Sequence, residues 1–408
     1  MKILTHNLMR NLKSLKVSKT IVLSVLLFTF ACQSNLVSTK MIDSDAIITN
    51  TFPQKTSPQH NPTKTEKPIF TQEPSQSPTL SSTPTTMFNT STPTPTDIPM
   101  ITLLFTGVIV PARCVQAALD EIGNPDYPYE EVSDLINEAD LAVGTFNATM
   151  SDKVEHTGCL TTWQLVGSPD NADALQRAGF DAMSVATNHI KDCGLMKSWC
   201  DYTFFDTLFH LDRVGIKTVG AGEDLEAALE AIIFDIEGVR FGIVSLGDSK
   251  MSETVFAGED HPGIAHLSEE NIKIAIESAR RSADVVIAMP HWGSEDITIP
   301  NWIQREQAQI LVREGADLVV GNHTHVVQAI QTIDQIPVFY GLGNFVFDQG
   351  LRDHRQGAIL LVKFKGTNYI GYEMIPTHVD PDGRVHIADE EEAAEVLRRV
   401  QEASDYIR

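Results

Sequence analysis

Residues 283–328, ADVVIAMPHWGSEDITIPNWIQREQAQILVREGADLVVGNHTHVVQ, decide how the chain is read. Val285, Val286, Ile287 and Ala288 form a continuous apolar run, the pattern of a strand covered on both faces. His291, Trp292, Gly293 and Glu295 follow at once. Ile303, Ile310 and Leu311 then recur at helical spacing, and Gly315 stops the helix. Leu318, Val319 and Val320 make a second buried strand, which ends in Gly321-Asn322-His323-Thr324-His325. Ligands of open α/β sheets bind just beyond the carboxyl ends of the strands. Two strands ending in histidines at that place mark the functional edge.

Working outward, the same alternation extends from Ile101 to the end of the chain. Ile101–Thr106 reads as a strand ending at Gly107, and Asp140–Gly144 as a shorter one. A helix capped by Ser168 runs through Ala174, Leu175 and Ala178 to Gly179. Ala182–Ala186 is a strand followed directly by Thr187-Asn188-His189. Ile232–Ile236 and Phe241–Leu246 flank Gly238 as a hairpin. Ser268 caps a helix carrying Ile272, Ala275, Ile276 and Ala279. Pro337–Tyr340 and Ala358–Phe364 are further strands, and Ala393, Val396, Leu397 and Val400 mark an amphipathic closing helix. No internal repeat is visible. The pattern predicts one α/β domain over residues 100–408, about three hundred residues long.

The chain has 408 residues, 42% of them hydrophobic, so a sizeable core is available. Its net charge of −23 argues against nucleic acid or an anionic membrane surface as the main partner. Residues 1–32 read as an export signal. Lys2, Arg10, Lys13, Lys16 and Lys19 precede the apolar run Ile21–Phe30, which is short for a membrane span. The run ends at Ala31-Cys32 and resembles a bacterial lipoprotein signal, in which Cys32 becomes the lipidated N-terminus; Thr29 and Phe30 depart from that pattern. Lipidation or ordinary signal cleavage both imply export, and lipidation adds a membrane anchor in the cell envelope. Residues 33–99, rich in Thr, Pro, Ser and Asn, bury too little apolar surface to offset ordering and read as a disordered tether.

The chemistry lies in Asn188-His189, His291 and His323-x-His325, each just after an apolar strand. In an extended segment, residues two apart point the same way, so His323 and His325 are expected to face one centre. Imidazole suits Zn, Fe, Ni or Cu, and an Asn carbonyl fills a further position. A lone histidine is more often a satisfied core or surface residue; three clusters at strand ends shift the balance toward a shared site. Glu295 and Asp348 read either as groups orienting a histidine or as solvated carboxylates. The glycines at 293, 321, 341 and 343 need no more than turns.

At these residues the chain resembles the bacterial capsule-synthesis, or poly-γ-glutamate-synthesis, CapA-type family, related to the calcineurin-like metallophosphatases. The likeness covers Ala178-Gly-Phe-Asp181, Asn188-His189 with Asp192 and Gly194, Gly220-Ala-Gly222, His291-Trp-Gly-x-Glu295, Gly315-Ala-Asp317, His323-x-His325 with Gln328, and Leu342-Gly-Asn-Phe345. It implies a metallophosphatase-like layered α/β/β/α sandwich with a metal site at the strand ends, and a role in capsule or polyglutamate assembly. Its departures are specific. The first block, normally Gly-Asp with a later Arg, is Gly107-Val108 with Arg113 kept. The second, normally Asn-Leu-Glu, is Thr145-Phe146-Asn147. The third, normally Asn-Asn-His, is Thr187-Asn188-His189. Two carboxylates that would neutralise and bridge a metal pair are thus absent.

The resemblance therefore leaves His291, His323, His325, Asn188 and Asn147 as candidate metal-site residues. His189, Asn188 and Arg113 are the candidate catalytic groups, with Glu295, Asp192 and Asn344 behind them. One divalent transition metal, Zn, Mn or Fe, is the expected cofactor. A metal-dependent hydrolase of a phosphoester or an envelope-polymer amide is one reading. The other is a catalytically degenerate module that binds capsule or polyglutamate-type polymer or its precursors. Of the remaining cysteines, Cys193 with Cys200 would brace the loop after Asn188-His189, leaving Cys114 with Cys159; free buried thiols are the alternative.

Overall fold

The computed structural model describes residues 98–195, 200–248 and 253–408. The export signal, Cys32 and the tether up to residue 97 lie outside the described residues. Among those described, no helix is long and apolar enough to cross a membrane.

Two mixed sheets carry the fold. The first is ordered Val385–Ile387, Asn368–Val379, Gln356–Lys365, Met100–Ile109, Leu141–Phe146, Ala182–Ser184, Lys217–Val219, with Asn344–Val346 pairing the end of the Met100 strand. The second is ordered Ile330–Ile333, Ile336–Phe339, Leu318–Val320, Val285–His291, Val239–Gly247, Ile232–Ile236. Strands at the centre of each sheet run parallel, in registers such as Leu103↔Leu141, Val143↔Ala182, Val285↔Phe241 and Ile287↔Leu318. Antiparallel pairs close three of the four edges, and Lys217–Val219 closes the other in parallel with Ala182–Ser184.

The sheets stack face to face. Leu103, Phe105, Val143 and Val362 of the first meet Phe241, Ile243, Ile287 and Val320 of the second in one buried cluster. The outer face of the first sheet buries Val115, Leu119, Leu175 and Phe204 from the helices Cys114–Ile122, Asp170–Ala178 and Asp201–Arg213. The outer face of the second buries Ile272, Ile276, Ala308 and Leu311 from Glu269–Arg280 and Trp302–Glu314. This is the expected α/β/β/α layering. Strands buried on both faces are why the central segments read as unbroken apolar runs.

Local signals held where chemistry is specific. Ser268 accepts from the Asn271 N–H at the start of its helix, and Gly179 and Gly315 end theirs with φ of 103° and 113°. Four expectations are corrected. The first strand continues past Gly107 to Ile109, because Val108 and Ile109 still pair with Thr145 and Phe146. The Asp170 helix follows Pro169 at its cap; Ser168 instead accepts from the Asp170 N–H at 3.2 Å. The Ala182 strand ends at Ser184. In the closing helix Glu390–Ile407 the buried stripe is Val396, Val400, Ala403 and Ile407, whereas Leu397, one position off that 3.6-residue period, is exposed.

Two disulfides are present, Cys114–Cys159 and Cys193–Cys200. They close segments of 45 and 7 residues' separation. In the chain-entropy account the longer closure stabilises by about 4 kcal/mol and the shorter by about 2 kcal/mol. The Cys114→Ser, Cys159→Ser double variant should therefore lose the more stability. Urea unfolding of both double variants checks the order; equal losses, or a larger loss for the short bridge, would contradict it.

Candidate functional site

The carboxyl ends of both sheets' parallel strands open on one seam, and the polar residues meet there. Asn188 follows the Ala182–Ser184 strand of the first sheet; His291 is the last residue of its strand in the second. Asn188 Oδ1 lies 3.0 Å from His291 Nε2, and His323 Nδ1 lies 3.1 Å from the same nitrogen. Asn322 adds a second tie between sheets, its Nδ2 donating to Thr145 Oγ1 at 2.7 Å. Trp292, fully buried, donates from Nε1 to the Tyr340 carbonyl and stacks on that ring, fixing the backbone beside His291.

His323 and His325 do not sit in an extended segment. Their φ values are 104° and 60°, the left-handed region that non-glycine residues rarely occupy. Their ring centroids are nevertheless 6.1 Å apart, and His323 is 4.7 Å from His291. The convergence comes from a tight turn after the Leu318–Val320 strand, not from strand alternation.

Each remaining histidine is oriented from behind. Asp192, buried, accepts from the Leu165 N–H and meets His189 Nδ1 at 2.7 Å, so His189 donates from that nitrogen. Burial raises the Asp192 carboxyl above its usual range, against the pull of His189. Asn344 donates from Nδ2 to the His354 carbonyl, which can only accept. Its Oδ1 therefore faces His325 Nδ1 at 2.8 Å, leaving His325 protonated there with Nε2 bare. Burial pushes His325 down to about 4 and His291 well below the ordinary imidazole value, so both are neutral at pH 7.

Other candidates fall at the margin. The guanidinium of Arg113 forks onto Asp348, donates to the Thr162 carbonyl at 3.0 Å and lies 4.8 Å over the Phe347 ring. It reaches His325 only through Phe347, whose ring is 5.4 Å from that imidazole. Asp348 thus orients an arginine, not a histidine. Glu295 is half-buried, raised by that burial, and close enough to feel the charge of His189, but hydrogen-bonds no histidine among the described residues. Asn147 directly follows the Leu141–Phe146 strand, accepting from the His189 N–H at 3.2 Å, and Val108 is fully buried in the neighbouring strand. Two contributors were not singled out from sequence. Asn322 stood readable inside the Gly321–His325 run, whereas His354, buried against Asp296 at 2.7 Å, sits in the short 3-10 turn Arg352–Arg355 with no local signal.

The donor set decides what the site can hold. Among the described residues no three His, Cys, Asp or Glu side chains gather as a metal cluster. The trio that does gather is Asn188, His291 and His323. Neutral His291 has one proton at most for its two contacts at Nε2. If Nε2 carries it, one N–H is shared by two acceptors; if not, its lone pair faces that of Asn188 Oδ1. A cation would resolve that crowding, so the residues fit one ion. His291 Nδ1 lacks the outer partner that usually steadies a ligating imidazole, so the ion would be held weakly. With Val108 and Asn147 contributing no negative charge, nothing offsets the repulsion of a second ion.

A family model described as "Bacterial capsule synthesis protein PGA_cap" matches residues 102–349. The chain is 29% identical over 279 residues to the PGA biosynthesis protein CapA of Bacillus subtilis, spanning 67% of this chain and 70% of that one. It is 26% identical over 285 residues to the capsule biosynthesis protein CapA of Bacillus anthracis, spanning 68% and 67%. Among solved structures, a novel phosphatase from Mycoplasma pneumoniae superposes with a TM-score of 0.43 and 11% identity, covering 68% of this chain and 94% of that one. The matched region contains the two-sheet seam and every residue that meets there from Asn147 to Asn344, and the chain belongs to the bacterial capsule synthesis protein family PGA_cap.

Proposed function

We propose that the chain is an exported, membrane-anchored assembly module that binds a capsule or polyglutamate-type polymer, or its precursors, at a site reduced to one metal position. The observation that carries this reading is the trio Asn188, His291 and His323 beside Val108 and Asn147, which add no carboxylate. Asn188, His291 and His323 would hold one divalent ion, Zn, Mn or Fe, and such an ion supplies Lewis acidity toward a ligand oxygen. His325 presents its bare Nε2 nearby, and His189, backed by Asp192, holds its proton on Nδ1. The names of the Bacillus relatives support the polymer class. The two disulfides support an oxidising compartment, in keeping with the signal at 1–32 and tether at 33–99. The retained His189–Asp192 pair favours a second reading, a metal-dependent hydrolase of a phosphoester or an envelope-polymer amide.

Elemental analysis of purified protein should find at most one transition metal per chain, and generic phosphodiesterase activity should be low or absent. Val108→Asp with Asn147→Glu should raise the stoichiometry toward two. Two tightly held ions in the natural sequence would overturn the reduced-site reading.

The metal-free protein should lose stability in acid. His325 has a folded pKa of about 4 against an unfolded value near 6.5, so the unfolded chain takes up the proton first. Stability therefore falls as the pH drops from about 6.5 to about 4, by roughly 3 kcal/mol for this residue, and levels off below. Urea midpoints in EDTA should follow that slope, and His325→Gln should flatten part of it; an unchanged slope would refute the assignment.

At the N-terminus, mass spectrometry of the mature protein should find an acylated Cys32. Two acyl chains hold a protein stably at a membrane, whereas one is marginal. An unmodified N-terminus elsewhere, with release into the medium, would remove the anchor from the reading.

A further inference from the structure

Four buried polar atoms around the seam have no partner among the described residues: the amide nitrogens of Asn147 and Asn188, Nδ1 of His291 and Oδ1 of Asn322. Protein interiors satisfy nearly all such groups, so orphans gathered at one place mark where something else supplies the partner. For Asn147 the chemistry of the orphan is determined. Its Oδ1 accepts from the backbone N–H of His189, which can only donate. The unpartnered end is therefore the NH2 group, on a side chain that is fully buried. Asn188, 3% exposed, turns Oδ1 to His291 and likewise leaves its nitrogen bare. An amide N–H cannot ligate a cation. It needs an acceptor oxygen.

We infer that Asn147 and Asn188 form a subsite for an anionic oxygen group of the ligand, a carboxylate or a phosphate, on the side of the site where the related family's carboxylates would hold a cation. The inference deepens the proposed function and rests on its reading of Asn147 as standing in a lost carboxylate's place. Exchanging a carboxylate for an amide replaces acceptors that repel an anion with donors that attract one. Both nitrogens are closed to solvent, so the oxygen enters by displacing a neighbour. His323, partly exposed where His189, His291 and His325 are buried, is the histidine that borders solvent.

The test is titration calorimetry of the full chain, stripped of metal with EDTA, against inorganic phosphate and separately against glutamate. Binding of either supports the subsite, and which one binds identifies a phosphoryl or a carboxylate source. Asn147→Asp keeps the acceptor for the His189 N–H and removes only the donors. Its affinity should fall at least about tenfold, because a charge-assisted bond is replaced by like-charge repulsion, while Tm stays near that of the natural sequence. Should that variant fail to fold, Asn188→Asp carries the same expectation. No binding of either probe, or an Asn147→Asp protein that binds as tightly as the natural one, would overturn the subsite. Metal uptake measured on the same samples separates the two ideas: anion binding without any metal uptake would sink the metal position alone.

Discussion

The structure depends on polar pairs that cross between two otherwise apolar sheets. The facing surfaces are built from Leu, Ile, Val and Phe, and hydrophobic contact is non-directional, so it does not choose how one sheet sits over the other. Ser184 Oγ to Ser245 Oγ at 2.7 Å, Asn322 to Thr145 at 2.7 Å and Asn188 to His291 at 3.0 Å do choose. A buried polar group without its partner costs more than a matched pair gains, so an offset between the sheets is penalised several times over. The three ties link the sheets through strand Ala182–Ser184 and the carboxyl ends of the neighbouring strands, which is why the histidine cluster forms at the seam.

The same burial sets the electrostatics. In a chain carrying a net charge of −23, the seam is assembled from imidazoles and amides, and burial keeps His291 and His325 neutral at pH 7. Three aspartates around it are already engaged: Asp192 with His189, Asp348 with Arg113, Asp296 with His354. Anchoring of the surrounding loops follows the same economy of partners. Cys114–Cys159 ties the segment before Leu165 to the helix that begins beside Arg113, and Arg113 holds Thr162 of that segment as well. Cys193–Cys200 closes the loop that follows Asp192, and the Cys193 N–H is taken by Gln164 Oε1. The backing of His189 is thereby connected to both bridges.

Much of this was legible in the residues themselves. Unbroken apolar runs such as Val285–Ala288 and Leu318–Val320 announce strands buried on both faces, and Ser268, Gly179 and Gly315 mark helix ends, because burial and capping act on neighbours in sequence. The placing of His189, His291 and His323 at strand ends follows from the same local reading, and the family was recognisable from its ordered blocks. A single residue is a less secure marker: Gly107 lies within its strand and Leu397 faces solvent, since register and a 3.6-residue stripe are set by several neighbours together.

Tertiary structure alone decided which atoms meet. Sequence spacing suggested that His323 and His325 converge through strand alternation, yet left-handed backbone at both residues brings them together. The pairing of Asp348 with Arg113, and of His354 with Asp296, joins residues 235 and 58 positions apart, distances over which no local pattern carries information. So too for protonation. That His325 carries its proton on Nδ1 follows from Asn344, whose own orientation follows from the His354 carbonyl. The sequence by itself determined the layers, the strand ends and the chemical types at the seam, because those depend on short-range periodicity. The partner of each polar atom, and hence which groups are left wanting one, depends on how two sheets are brought face to face.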